Sequence, residues 1–179
     1  VLEVIDNSTI TSGNIDMPYD SGNAMRLGGI DLQNCKTFTI YSSANKTVTS
    51  ATYVTLDNLT TKYPTTPDPL FFEYVANGQI KIKKAGWYLI IANFQYADYF
   101  RTTETSARLI YELLINSSAV LQPEGDTGGR NHFPALSMSY VRYLNVNDTL
   151  KLRVYQISGL DKPIGSGFKT HLSTTFQGV

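Results

Sequence analysis

The chain has 179 residues, of which 42% are hydrophobic, 17% charged and 12% aromatic, enough for one domain with a full core and too few for two large ones. Its 15 Lys and Arg cancel 15 Asp and Glu, so no net field draws in nucleic acid or an anionic membrane, and no nucleic-acid partner is expected. The lone Cys35 excludes an intramolecular disulfide and multi-thiolate zinc, and no apolar run approaches the ~18 residues of a membrane span.

Residues 1–35 interleave short apolar pieces with Asn7, Gly13, Pro18, Gly22, Gly28 and Gly29. Such interruptions break any helix or strand core, and the stretch is expected to be an irregular stalk or adaptor. The chain opens on Val1 without a basic n-region or small-residue cleavage site, which suggests a piece of something longer. Residues 36–179 have the pattern of one head domain. Thr37–Tyr41 and Ala51–Leu56 carry β-branched and aromatic residues that suit a pleated surface, so both are predicted strands. A loop with Pro64, Pro67 and Pro69 follows, where fixed φ and missing amide donors exclude a central strand. Leu70–Val75 and Gln79–Lys83 then flank Asn77-Gly78, a dipeptide that tolerates the positive φ of a tight hairpin.

Gly86–Tyr96 is apolar on two sides, with Trp87, Leu89 and Ile91 on one and Tyr88, Ile90, Phe94 and Tyr96 on the other, so both are expected to be covered. Ala107–Ile115 repeats that character; its continuous apolar run also fits a helix, and it is read as a strand. Phe133–Leu144 is a long strand candidate. Thr149–Gln156 alternates Leu150, Leu152 and Val154 with Lys151, Arg153 and Tyr155, and His171–Phe176 closes the set. Short strands, turns, no sustained 3.6-residue period and no internal repeat define the fold class as all-β, a β-sandwich or jelly roll.

The strand contents resemble a family. Gln79 to Ile82, leading through Lys84-Ala85-Gly86-Trp87-Tyr88 to Ile90, is similar to the Gly-x-Tyr strand of C1q/TNF-like jelly rolls. Arg108 to Asn116 resembles the family's strand that ends at an Asn before a turn. Tyr143 to Leu150 is similar to its turn into a strand carrying Val154, Tyr155 and Gln156, and Phe176-Gln177-Gly178-Val179 to its C-terminal Phe-x-Gly ending. Over residues 70–179 the resemblance implies a C1q/TNF-like jelly-roll head that packs as a homotrimer, with Tyr88, Ile90, Phe94, Tyr96 and Tyr155 as interface candidates. Ala24-Met25-Arg26-Leu27-Gly28-Gly29-Ile30 resembles the LGG segments that join stalk and head in phage tail-fibre proteins.

Groups for catalysis are sparse. His132 and His171 are the only histidines, neither in metal-ligand spacing, and Cys35 has no His beside it in sequence. Asp98, Glu104 and Glu112 are candidate paired carboxylates without a defined separation, and no enzyme activity is expected. The loop from Glu124 to His132 carries two carboxylates, three glycines and Arg130. Asp126, Arg130 and His132 are therefore ligand-binding candidates; no cofactor or metal is expected, although Ca2+ could be held there through oxygens.

Carbohydrate binding needs exposed aromatic faces beside planar polar groups. Tyr99, Phe100 and Arg101 supply them in a loop, whereas Trp87, inside a strand, is expected to be core. Sequons start at Asn7, Asn45, Asn58, Asn116 and Asn147. With the two resemblances, these features lead to the expectation of an extracellular, non-enzymatic trimeric head of a phage tail fibre or similar appendage, binding a cell-surface receptor, a saccharide, through loops. The alternative is a secreted or bacterial-surface C1q/TNF-like ligand or adhesin that binds a protein receptor at subunit grooves.

Overall fold

A computed structural model describes residues 36–98, 100, 108–126 and 133–179, together with the backbone of five short strands before residue 32; for Asp126 and Phe168 the description is likewise of backbone. The five are β1 (Leu2–Val4), β2 (Thr9–Thr11), β3 (Asn14–Asp16), β4 (Met25–Leu27) and β5 (Ile30–Asp31), paired as β1-β4-β5 and β2-β3. Between the interruptions, the N-terminal segment thus forms brief strands where none were expected. Gly28-Gly29 lies outside the described residues.

The head follows as β6 (Thr37–Ser42), β7 (Lys46–Val48), β8 (Val54–Thr55), β9 (Leu59–Tyr63), β10 (Phe72–Val75), β11 (Gln79–Ile82) and β12 (Gly86–Gln95). It continues as β13 (Arg108–Ile115), β14 (Ser118–Leu121), β15 (Glu124–Asp126), β16 (Ala135–Leu144), β17 (Thr149–Ile157), β18 (Lys162–Ile164) and β19 (Gly167–Gly178). Two antiparallel sheets face each other. One runs β10-β11-β17-β13-β14, with β15 on β13 and β8 on β17; the other runs β16-β12-β19-β6-β9. The ambiguous apolar run is a strand, β13, paired along its whole length with β17. The expected strand at Ala51–Leu56 is reduced to β8, with Ala51 at φ +58° in the turn before it.

Alternation decides what fills the space between the sheets, because successive side chains leave opposite faces of a strand. Tyr88, Ile90, Ala92 and Phe94 of β12 point inward, as do Leu150, Leu152 and Val154 of β17, Phe38 and Ile40 of β6, and Leu172 and Phe176 of β19. Aromatic rings gather at two ends of this core. Phe72 lies 5.9 Å from Phe38 and 6.0 Å from Tyr88, and Phe176 packs 5.3 Å from Tyr88. At the other end Tyr111 lies 5.1 Å from Phe94 and 6.4 Å from Tyr96. Burial pushes the phenols of Tyr96 and Tyr111 well above the ordinary tyrosine range, so both stay neutral.

The turns explain the familiar motifs. Asn77 and Gly78 have φ of +65° and +68°, the left-handed pair that lets β10 return as β11. The Asn145–Asp148 turn locks onto the β13–β14 turn. The Asp148 carboxylate accepts from the Asn145 amide at 2.8 Å and from Asn116 Nδ2 at 2.7 Å, while Asn116 Oδ1 accepts from the Thr149 amide at 2.9 Å. The Gly-x-Tyr and Phe-x-Gly signatures are one packing unit, since Gly86 sits against Gly178 and Tyr88 against Phe176. Among the described residues no helix is long and apolar enough to cross a membrane.

Candidate functional site

Tyr88, Ile90, Phe94 and Tyr96, expected at a subunit interface, are enclosed within their own chain at no more than 1% exposure. The reason is parity: their side of β12 faces β13 and β17 across the sandwich, which supplies all the apolar surface they need. The outward side of β12 carries Trp87, Leu89, Ile91, Asn93 and Gln95. Trp87, expected in the core, is 50% exposed, and its ring meets Tyr143 of β16 edge-on at 5.8 Å.

Register extends this outward face across the sheet in rows. Val141 and Leu89 lead to Thr175 and Thr37; Ser139 and Ile91 to Ser173, Thr39 and Tyr63; Ser137 and Asn93 to His171, Tyr41 and Thr61. None of these residues is Asp, Glu, Lys or Arg. Their polar atoms pair sideways. Thr37 and Thr175 hydroxyls lie 2.9 Å apart, Thr39 donates to Ser173 at 2.8 Å, and Asn93 Nδ2 lies 3.1 Å from His171 Nε2. Polar groups already bonded to one another lose little when water is removed, so this face is prepared for burial. At its far end a depression of about 290 Å³ is lined in part by Asn93, Gln95, Ala135, Ser137 and Lys169.

The outward face of the other sheet has the opposite chemistry. Glu73 bridges Lys81 at 3.2 Å and Lys83 at 3.4 Å, and Arg108 holds Glu124 through Nε at 3.0 Å and Nη2 at 2.7 Å. These cations hold the Glu73 and Glu124 carboxyls below the usual carboxylate range, while both remain solvated. Glu112, buried in β13, accepts from Arg153 Nε and, at 2.8 Å, from Gln122 Nε2. The Arg153 guanidinium lies 4.5 Å from the Tyr53 ring centre, and Tyr53 packs 4.7 Å from Tyr155. Tyr155, a fifth interface candidate, therefore stands on this ion-paired sheet, away from the uncharged face. Glu112 is engaged as a structural anion and not as half of a carboxylate pair facing a cleft.

The recognition candidates divide differently. Phe100, expected to contact ligand, is fully buried; it meets Tyr96 edge-on at 4.9 Å, and Lys162 Nζ lies 5.1 Å from its ring centre. Its large apolar surface closes the end of the sandwich, where exposure would cost more than any contact patch gains. Phe100→Ala is accordingly expected to destabilise the fold by about 3 kcal/mol in urea titration, the cost of a large core cavity. An unchanged midpoint would contradict the packing. Tyr99, Arg101, Arg130 and His132 lie outside the described residues, as does the side chain of Asp126. Asp126 ends β15, opposite Arg108, so the loop from Glu124 begins as a paired strand. Glu124 is engaged by Arg108 in a solvent-exposed ion pair.

No family model and no curated protein matches the chain. Solved structures do. Eiger TNF from S. frugiperda superposes with a TM-score of 0.54 at 12% identity, over 80% of this chain and 92% of that one. Murine APRIL, at pH 5.0, superposes with a TM-score of 0.55 at 8% identity, over 79% of this chain and 98% of that one. At such identities the likeness is one of backbone, and it establishes the fold: an all-β, TNF-like jelly roll.

Proposed function

We propose that this chain is a trimeric, non-enzymatic head that binds an extracellular receptor. The observation that carries the reading is the uncharged, laterally hydrogen-bonded face of the β16-β12-β19-β6-β9 sheet, set against the ion-paired face of the other sheet. A face without charges can meet another copy without like-charge repulsion, whereas the Glu73–Lys81 face is already satisfied by water and its own ion pairs. The C1q/TNF-like resemblance implies three such sheets around one axis, and the TNF-like fold is consistent with it. Interface residues are then Trp87, Leu89, Ile91, Val141 and Tyr143 in place of the core aromatics.

Within that reading, recognition falls to the loops that contain Tyr99, Arg101, Asp126, Arg130 and His132. Three shallow sites on a rigid trimer bind tightly together when all can engage at once, so each can be weak and reversible. The LGG-like Ala24–Ile30 segment favours the tip of a phage tail fibre or similar surface appendage, with a cell-surface saccharide as receptor. A second reading, a secreted or surface ligand gripping a protein receptor at the subunit grooves, is favoured by the likeness to Eiger TNF and APRIL. Light scattering on dilution tests assembly: a mass three times that of the protomer supports the head, and a monomer overturns it. The combined Tyr99→Ala and Arg130→Ala change is expected to reduce adsorption to cells at least about tenfold with folding intact. Competition by extracted wall glycan distinguishes saccharide from protein receptors, and unchanged adsorption overturns the loop assignment.

A further inference from the structure

The outward face of the other sheet gathers aromatic and planar polar groups on β8, β13, β15 and β17. Tyr155 alternates with the buried Val154 and Gln156, so its ring stands on the solvent side. Ile110 of β13 lies opposite it, and Glu124 of β15 lies opposite Ile110. Val54 pairs with Val154, which brings Tyr53, one residue earlier, alongside Tyr155; the two rings lie 4.7 Å apart and 34° from parallel. The adjoining row carries Arg153 opposite Glu112, and Arg108 reaches diagonally to Glu124. Two tyrosine rings are thus bracketed by two guanidinium–carboxylate pairs. Each group is also held in place: Arg153, bonded to the buried Glu112, lies 4.5 Å from the Tyr53 ring centre, and Gln122 Nε2 donates to Glu112 at 2.8 Å while lying 3.5 Å from the Tyr53 hydroxyl.

The patch is open as well as ordered. Tyr53 is 42% exposed, and the Arg108 and Glu124 side chains are solvated. Side chains fixed in advance lose little freedom when a ligand arrives. The two arginines are balanced by two glutamates, so the patch does not select an anion or a cation. Ring faces edged by planar, paired polar groups match a pyranose: its C–H face packs on an aromatic ring, and its neighbouring hydroxyls bridge a carboxylate or guanidinium. Arg108 spends Nε and one Nη2 hydrogen on Glu124, leaving further donors, and the carboxylate keeps lone pairs for hydroxyl donors. Half a dozen side chains fall well short of the roughly 20–30 residues a side of a stable protein interface, and they suffice for a short oligosaccharide. We propose that Tyr53, Tyr155, Arg108 and Glu124, supported by Gln122 and Arg153, form a binding site for a neutral saccharide, stacked on the tyrosines and hydrogen-bonded to the Arg108–Glu124 pair. The inference rests on the reading of the chain as a receptor-binding head, and gives that head a contact besides its loops. Assembly through the uncharged sheet leaves the patch of every copy accessible, so the copies can engage together.

Binding of the full chain to immobilised oligosaccharides tests this, with circular dichroism to verify folding. One set is neutral, built of hexoses and N-acetylhexosamines; the other carries uronate or sialate carboxylates. The parent should be retained on members of the neutral set. Tyr53→Ala and Glu124→Gln should each weaken that binding at least about tenfold, while Tyr53→Phe, which keeps the ring, should preserve it. Should Tyr53→Ala fail to fold, Glu124→Gln, a change on a solvated side chain, decides. Neutral-set binding that both variants leave unchanged overturns this site; if the combined Tyr99→Ala and Arg130→Ala change abolishes it, the saccharide reading and its loops stand without the patch. Binding confined to the acidic set overturns the neutral class. A parent that binds neither set overturns the site together with the saccharide receptor, and leaves the protein-receptor reading of the head.

Discussion

Gly86→Ala is expected to lower the stability of the head by about 3 kcal/mol, shifting the melting temperature down by roughly 10 °C. A Cβ here would lie 2.4 Å from the carbonyl oxygen of Gly178 and 2.5 Å from Cε2 of Phe176, distances that no carbon contact sustains. Neither neighbour yields easily. The Phe176 ring lies 4.9 Å from Phe71 and 5.3 Å from Tyr88, and Lys84 Nζ stands 5.0 Å from its centre. Gly178 is paired with Trp87 across the bulge at the end of the β12–β19 ladder. The Tyr88 hydroxyl, donating to the Lys84 carbonyl at 2.6 Å, fixes the approach from the other side. The substitution must therefore move either a core aromatic or the terminal strand. Phe176→Leu frees space at the same spot, so in a double-mutant cycle Gly86→Ala should cost less in that background, with a coupling of about 1 kcal/mol. A Gly86→Ala protein with the parent's urea midpoint and slope would show that the two strand ends do not meet as described.

The same junction shows what was legible in the sequence. Gly86-Trp87-Tyr88 and Phe176-Gln177-Gly178 lie far apart along the chain, yet each bears the mark of one crowded contact, a glycine where another backbone comes close and an aromatic where the core begins. Long strands were legible too, because ten residues of β12 or nine of β17 display a period of two several times over. The short strands β7, β14, β15 and β18, of three or four residues, show too few alternations for a period to register, and β7 and β18 pair with each other from opposite ends of the head's sequence. The interface candidates went astray for a related reason. On a strand apolar on both sides, size does not tell core from interface: Tyr88 and Phe94 are core, and Trp87 is half exposed. The distinguishing mark is the lack of Asp, Glu, Lys and Arg at the outward positions of β6, β12 and β16 and of β19 from His171 to Thr175, a pattern that exists only once four strands distant in sequence are laid in register. Phe100 illustrates the converse: flanked by Tyr99 and Arg101 in sequence it resembles a contact patch, but depth in the fold assigns it to the core.

Ile91→Lys is expected to convert the assembled head into a folded monomer. Ile91 lies on the outward side of β12, between Ser139 of β16 and Ser173 of β19, and is half-buried in the single chain. A lysine there can extend along the sheet and keep its ammonium in water, so the chain alone should lose no more than about 1 kcal/mol. Assembly removes that escape. Each copy would bring an ammonium into a face of Ser, Thr, Asn and apolar side chains with no carboxylate in the neighbouring rows, and truncated or unmatched charges in such settings cost several kcal/mol apiece. Because the charges would be buried, added salt should restore little, which separates this effect from surface repulsion. Gln79→Lys supplies the control. It adds the same charge on the outward side of β11, in the sheet where Glu73 already bridges Lys81 and Lys83, and should leave the trimer intact. Monomeric Ile91→Lys beside trimeric Gln79→Lys, both with the parent's circular dichroism, would locate assembly on the uncharged sheet. Dissociation by Gln79→Lys instead would transfer it to the ion-paired one, and would make the hydroxyl rows of β6 and β19 a surface for some partner other than this chain.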